Sequence, residues 1–176
     1  MTSPPPDTPL PGTDAAYEAG QRRQEAFDVA WRFLAHRDRT EAEVRRNFAR
    51  KRIDPALVEE VVAALLEGRY LDDAAFARRF AADRRNLDGW GAERIERRLA
   101  ELGVDRAEIR AALDLGEEAG HDELQAACEL LARRFPHPPE TPRELERALG
   151  FLVRKGYDLE LAHDALRRHA GATVED

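Results

Sequence analysis

Cysteine, serine, methionine and lysine are almost missing from this 176-residue chain, which has one Cys (Cys128), one serine (Ser3), one Met and two lysines (Lys51 and Lys155). A single thiol closes no internal disulfide and furnishes no cysteine-rich metal site, which points to a reducing compartment, the cytoplasm. Ser3 lies in a proline-rich stretch, so no serine nucleophile is available. Five histidines occur, His36, His121, His137, His163 and His169, and none stands in an H-E-x-x-H or Cys/His spacing. The expectation is therefore a protein with no metal, no cofactor and no enzymatic activity. Long apolar runs are missing too, which excludes a membrane-spanning helix, and the N-terminus lacks the basic-then-apolar order of a secretory signal. Aromatics make up 7% of the residues, so a core has to rest on Leu, Ala, Val and a few Phe.

Charge is abundant, at 36% of residues, with a formal net charge of −7. The basic side is nearly all arginine, 26 against two lysines. An acidic total argues against a general nucleic-acid coat, which needs a basic field. The charge is uneven. Residues 24–70 hold nine acids and nine bases, residues 71–120 twelve and nine, and residues 121–176 eleven and eight. Half of the ten prolines fall in residues 1–20. That stretch has little to bury, so residues 1–21 read as a disordered tail, with order beginning near Gln21–Glu25. Residues 172–176 read as a second, short tail.

Between the tails apolar residues recur at spacings of three and four, as in Phe27, Ala30, Trp31, Leu34 and in Val58, Val61, Val62, Leu65. No segment shows the sustained alternation of a strand, so the fold class is all-α. The chain also repeats itself. Residues 40–48, 91–99 and 141–149 align at offsets of 51 and 50. A helix start falls at Thr40, Gly91 and Thr141, an apolar residue at Val44, Ile95 and Leu145, an arginine at Arg46, Arg97 and Arg147, and a second apolar residue at Phe48, Leu99 and Leu149. Thr40 with Glu43 and Thr141 with Glu144 are capping boxes, and Pro142 suits a first helical position. Asp54, Asp105 and Asp158 then read as N-caps of a further helix. Upstream, Phe27/Trp31, Phe76/Phe80 and Leu124/Cys128 give a first helix with i, i+4 apolar pairs, and Cys128 falls in its core column. The unit is three short helices in about 50 residues, present three times, over residues 22–70, 71–120 and 121–171. Such units serve as helix-turn-helix DNA-binding modules or stack as a solenoid that holds a protein partner.

The densest motif is Tyr70-Leu71-Asp72-Asp73-Ala74-Ala75-Phe76, followed by Gly89-Trp90-Gly91 and by Leu99-x-x-Leu102-Gly103-Val104. In these residues, and in the triple repeat around them, the chain resembles the RecX family of bacterial recombinase regulators over roughly residues 25–170. The resemblance implies an elongated, curved, monomeric molecule that lies along the filament of RecA on single-stranded DNA. It also implies inhibition or modulation of filament extension, ATP hydrolysis, strand exchange and coprotease activity in DNA repair and the SOS response. A weak contact to DNA is a further expectation. A tandem helix-turn-helix DNA binder and a generic helical adaptor remain the alternatives. The sequence departs from the family pattern at Arg69, between Gly68 and Tyr70, and at Arg52-Ile53, where the other repeats have a glycine turn.

The residues themselves nominate a surface. Arg45, Arg46, Arg50, Lys51 and Arg52 form the one basic run with no acid inside it. Arginine binds carboxylate and phosphate bidentately, so this run, together with Arg94, Arg97 and Arg147 and the aromatics Tyr70 and Trp90, is the expected partner-binding set. Asp72 and Asp73 read as a helix start rather than a catalytic carboxylate pair. Phe76 reads as core, and Gly89, Gly91 and Gly103 as turn residues. Gly89-Trp90-Gly91 is no phosphate loop, since no strand precedes it and Arg94 stands where a third glycine belongs.

Overall fold

The computed structural model describes residues 13–113 and 117–171, so the expected tails fall outside the described residues except for residues 13–21. All regular structure among the described residues is helical: α1 (Thr13–Leu34), α2 (Glu41–Lys51), α3 (Pro55–Glu67), α4 (Asp73–Asp88), α5 (Ala92–Leu102), α6 (Arg106–Leu113), α7 (Glu117–Arg134), α8 (Pro142–Lys155) and α9 (Leu159–Gly171). The chain divides into two compact units after Leu71. The first holds α1–α3. The second holds α4–α9. Three apolar clusters form, one within each set of three helices.

Helix α1 begins well before the expected Gln21–Glu25. Once past Pro11, residues such as Ala15, Ala16, Glu18 and Ala19 are strong helix formers and propagate the helix backwards. Residues 15–25 are all exposed, so this extension rests on propensity rather than on burial.

Local chemistry sets most boundaries. The Thr40 side chain accepts from the Glu43 backbone N–H and the Glu43 carboxylate accepts from the Thr40 N–H, closing a capping box on α2. Thr141 and Glu144 do the same for α8. Asp54 caps α3 by accepting from Ala56 N–H at 2.8 Å, and the Asp105 and Asp158 side chains accept from Ala107 N–H at 2.7 Å and Glu160 N–H at 2.8 Å. Each such cap contributes about 1 kcal/mol. Asp72 caps α4 through Ala75 N–H at 2.7 Å, with Asp73 in the first turn.

Packing corrects the expected register of the first helices. The buried spine is Ala26/Ala30 in α1, Ala77/Ala81 in α4 and Ala127/Leu131 in α7, at the same offsets of 51 and 50. In this register Trp31 falls beside Ala82, and its side chain is 39% exposed. Small residues let the helices approach closely, and the aromatics lie beside that seam. Cys128 is half-buried against the third cluster, where burial raises its thiol pKa.

The third repeat also breaks register. Val44/Ile95 and Phe48/Leu99 are fully buried in α2 and α5, but Leu145 in α8 is 42% exposed and Ala148/Leu152 take the core instead. Helix α8 has 14 residues where α2 and α5 have 11. Three extra residues after the cap turn a helix by 300°, so every face counted from Thr141 is displaced. Aligned by the C-caps Arg52, Gly103 and Gly156, the counterpart of Arg46 and Arg97 is Gly150, and Arg147 sits one turn early.

Within the second unit, the start of α5 is clasped to the end of α8 through backbone. Gly91 N–H donates to Lys155 O at 2.9 Å and Glu93 N–H to Gly156 O at 3.1 Å. Lys155 Nζ donates to Asp88 O at 2.6 Å, and Ala92 N–H donates to the Glu123 carboxylate at 2.7 Å. A Cβ on Gly91 would lie 2.3 Å from Gly156 O, so only glycine fits there.

Candidate functional site

The basic run of α2 is divided by its neighbours. Arg45 is committed inside the first unit: it pairs with Glu41 at 2.7 Å on its own helix and forks onto Glu59 of α3 at 2.5 and 3.0 Å. These bonds hold the guanidinium pKa well above its ordinary value, and Glu59 is held below the usual carboxylate range by Arg45. Arg45 therefore braces α2 against α3. Arg50 is exposed and donates to Asn47 Oδ1 at 3.2 Å. Arg52 is the C-cap of α2, in the left-handed region at φ 57°. Arg46 and Lys51 are exposed on the same helix.

Other arginines of the first unit are likewise taken up by acids. Arg23 reaches Glu60 at 2.6 Å, while Arg37 and Arg39 converge on Glu43 at 2.5 and 3.3 Å. Partial burial alone would raise the Glu43 pKa, but the Arg37 bond, the Thr40 N–H and the two positive charges outweigh it and lower it. Lys51 makes no ion pair among the described residues. Arg32 donates its Nε to Asp28 O at 3.0 Å and pairs with no carboxylate there.

Those two cations flank a groove between α1 and α2, about 220 Å³ in volume and lined by Val29, Arg32, Phe33, His36, Asn47 and Lys51. Val29, Arg32 and Phe33 follow i, i+3, i+4 spacing and share one face of α1, His36 stands in the turn just after that helix, and Asn47 and Lys51 are i, i+4 neighbours on α2. Asn47 is only 7% exposed. Arg50 donates to its Oδ1, and its amide nitrogen makes no hydrogen bond among the described residues. Phe33 is held in place by Arg39, stacked 4.1 Å from its ring centroid. Of this set, the sequence nominated only Lys51 as a contact residue. The other signal was an i, i+3, i+4 set in α1, Val29, Arg32 and Phe33, mixing apolar and cationic residues.

The aromatics separate into two kinds. Tyr70 is 61% exposed and meets Trp31 edge to face, with centroids 4.6 Å apart, on the surface of the first unit. Trp90 instead packs on the second cluster. It lies edge to face with Phe80 at 6.3 Å and has the guanidinium of Arg94 stacked at 4.1 Å. Arg94 in turn donates to Arg154 O at 3.1 Å, so Arg94 and Trp90 belong to the α5/α8 junction rather than to an open surface. Arg97 and Arg147 are exposed. Phe76 is buried, Gly89 and Gly103 are left-handed C-caps, and Gly91 is an N-cap without a side-chain bond. Among the described residues no three His, Cys, Asp or Glu side chains gather to hold a metal ion, and no helix is long and apolar enough to cross a membrane.

Three family models match in tandem: RecX, first three-helix domain, over residues 26–65; the second three-helix domain over 72–113; and the third over 121–166. The regulatory protein RecX of Halorhodospira halophila is 36% identical over 160 residues, covering 90% of this chain and 94% of that protein. That of Geobacillus thermodenitrificans is 31% identical over 165 residues, covering 93% of this chain, which spans 60% of that longer protein. The crystal structure of RecX from Lactobacillus salivarius superposes with a TM-score of 0.74 at 18% identity, covering 85% of this chain and 97% of that one.

Proposed function

The chain belongs to the RecX family of regulatory proteins, and from that premise we propose that it binds the RecA filament on single-stranded DNA and restrains it. Filament extension, ATP hydrolysis, strand exchange and coprotease activity would fall together. On this reading the protein acts by binding and not by catalysis, as a monomer in the cytoplasm, and any DNA contact is secondary. The observation that carries the reading is the unbroken series of three family-matched three-helix domains, each with its own apolar cluster. Linked domains supply several weak contacts whose combined affinity exceeds that of any one. Their mixed-sign, arginine-rich surfaces suit reversible, salt-sensitive protein binding.

Of the nominated residues, we place Arg46, Arg50, Lys51, Arg52, Arg97 and Tyr70 on the contact surface. Arg147 joins them from a position one turn early on its own helix, while Arg45, Arg94 and Trp90 hold the domains in shape. The test is RecA ATPase activity on single-stranded DNA against increasing amounts of this protein. Inhibition at substoichiometric ratios is the expected result. Unchanged ATPase at a several-fold excess overturns the reading.

A further inference from the structure

We propose that the groove between α1 and α2 docks an acidic peptide segment of the partner protein, one that carries an apolar side chain beside a carboxylate. The inference rests on the filament-binding reading above and assigns it a place on this chain. The groove has the three elements such a segment needs. Val29 and Phe33 supply an apolar floor, Arg32 and Lys51 supply cationic flanks, and the unused amide nitrogen of Asn47 supplies a hydrogen-bond donor from a nearly buried position.

The argument for an acidic occupant is the contrast in pairing within one unit. Arg23, Arg37, Arg39 and Arg45 each meet a glutamate at 3.3 Å or less. Arg32 and Lys51, like Arg50, Arg52 and Arg69, meet none among the described residues, and of these five Arg32 and Lys51 line the same groove. On a chain of net charge −7, cations that fold without an acid partner next to an apolar floor complement a carboxylate from outside. A desolvated apolar floor also makes the flanking charge pairs stronger than exposed ones. Nucleic acid fits less well. A phosphate backbone needs cations spaced along a track, whereas Arg23, Arg37, Arg39 and Arg45 of the same unit are already paired with Glu60, Glu43, Glu41 and Glu59.

The test compares wild type with the double variant Arg32→Glu/Lys51→Glu, using Arg106→Glu/Arg110→Glu on exposed positions of α6 as a control of equal charge change. Binding is measured by fluorescence anisotropy on RecA–oligo(dT) filaments and on oligo(dT) alone, with circular dichroism to verify folding. The expected result is a loss of at least tenfold in filament affinity for the groove variant and less than twofold for the control. Wild-type binding that survives Arg32→Glu/Lys51→Glu overturns the groove and leaves the filament reading standing. Failure of wild type to bind the filament overturns the filament reading itself. A wild-type affinity for oligo(dT) alone that the groove variant loses makes the occupant nucleic acid and overturns the acidic-peptide assignment.

Discussion

Helices α2 and α5 begin at equivalent positions, 51 residues apart, with opposite chemistry. Thr40 is fully buried and closes a capping box, whereas Gly91 makes no side-chain cap bond. The missing cap, worth about 1 kcal/mol, has a local explanation: the backbone of Gly91 lies against that of Gly156, and a Cβ on Gly91 would lie 2.3 Å from Gly156 O. The first unit thus finishes its second helix with side chains, while the second unit uses its equivalent helix end to fasten two three-helix sets together. What the comparison teaches is that a repeat column conserves geometry before chemistry. The residue at a given column reports what the neighbouring set demands.

The sharpest way to break this comparison is Gly156→Ala. The new methyl group would sit 2.2 Å from Arg94 Cβ, and the backbone is at φ 91°. Overpacking and left-handed strain together should destabilise the second unit by about 4 kcal/mol. The α5/α8 hydrogen bonds should lose protection from amide exchange while the first unit keeps its own. A urea midpoint equal to that of wild type would mean that the clasp is not a structural requirement.

Next in size is a contrast of aromatics. Phe76→Ala empties a buried site in the second cluster and should lower stability by about 3 kcal/mol or more. Trp31→Ala removes a larger but part-exposed ring whose main aromatic partner is Tyr70, and should lower it by about 1 kcal/mol. Thermal melting followed by circular dichroism separates the two. A larger loss for Trp31→Ala would mean that Trp31 carries core packing in the first unit despite its exposure.

That contrast shows where legibility stopped. The capping boxes and Asp caps were readable because every participant lies within a few residues and the chemistry is local. The three-helix unit was readable because caps and apolar positions repeat together. The alanine spine was not, because alanine carries little hydropathy signal and the larger residues beside it carry much more. The displacement of Arg147 was hidden because α8 keeps its start at Thr141 and gains its three residues inside the helix, where sequence alone offers no marker. The pairing of Arg45 with Glu59 and the groove shared by Arg32 and Lys51 both depend on how α2 packs against α3 and α1, so neither exists until the unit is folded.

The smallest expected effect bears most closely on the first unit's surface. Arg52 holds the left-handed C-cap of α2 at φ 57°, where α5 and α8 use Gly103 and Gly156. A side chain in that region costs about 1–2 kcal/mol, and glycine returns roughly half of this as lost chain entropy. Arg52→Gly should therefore raise stability by about 0.5 kcal/mol, read as a small upward shift in the urea midpoint. The same variant removes one of the cations proposed to face the partner, so stability and binding should move in opposite directions. If the midpoint rises while affinity for the RecA filament falls, strain at Arg52 is retained for a contact. If the midpoint rises and affinity is unchanged, Arg52 is a cap alone, and the contact surface of α2 contracts to Arg46, Arg50 and Lys51.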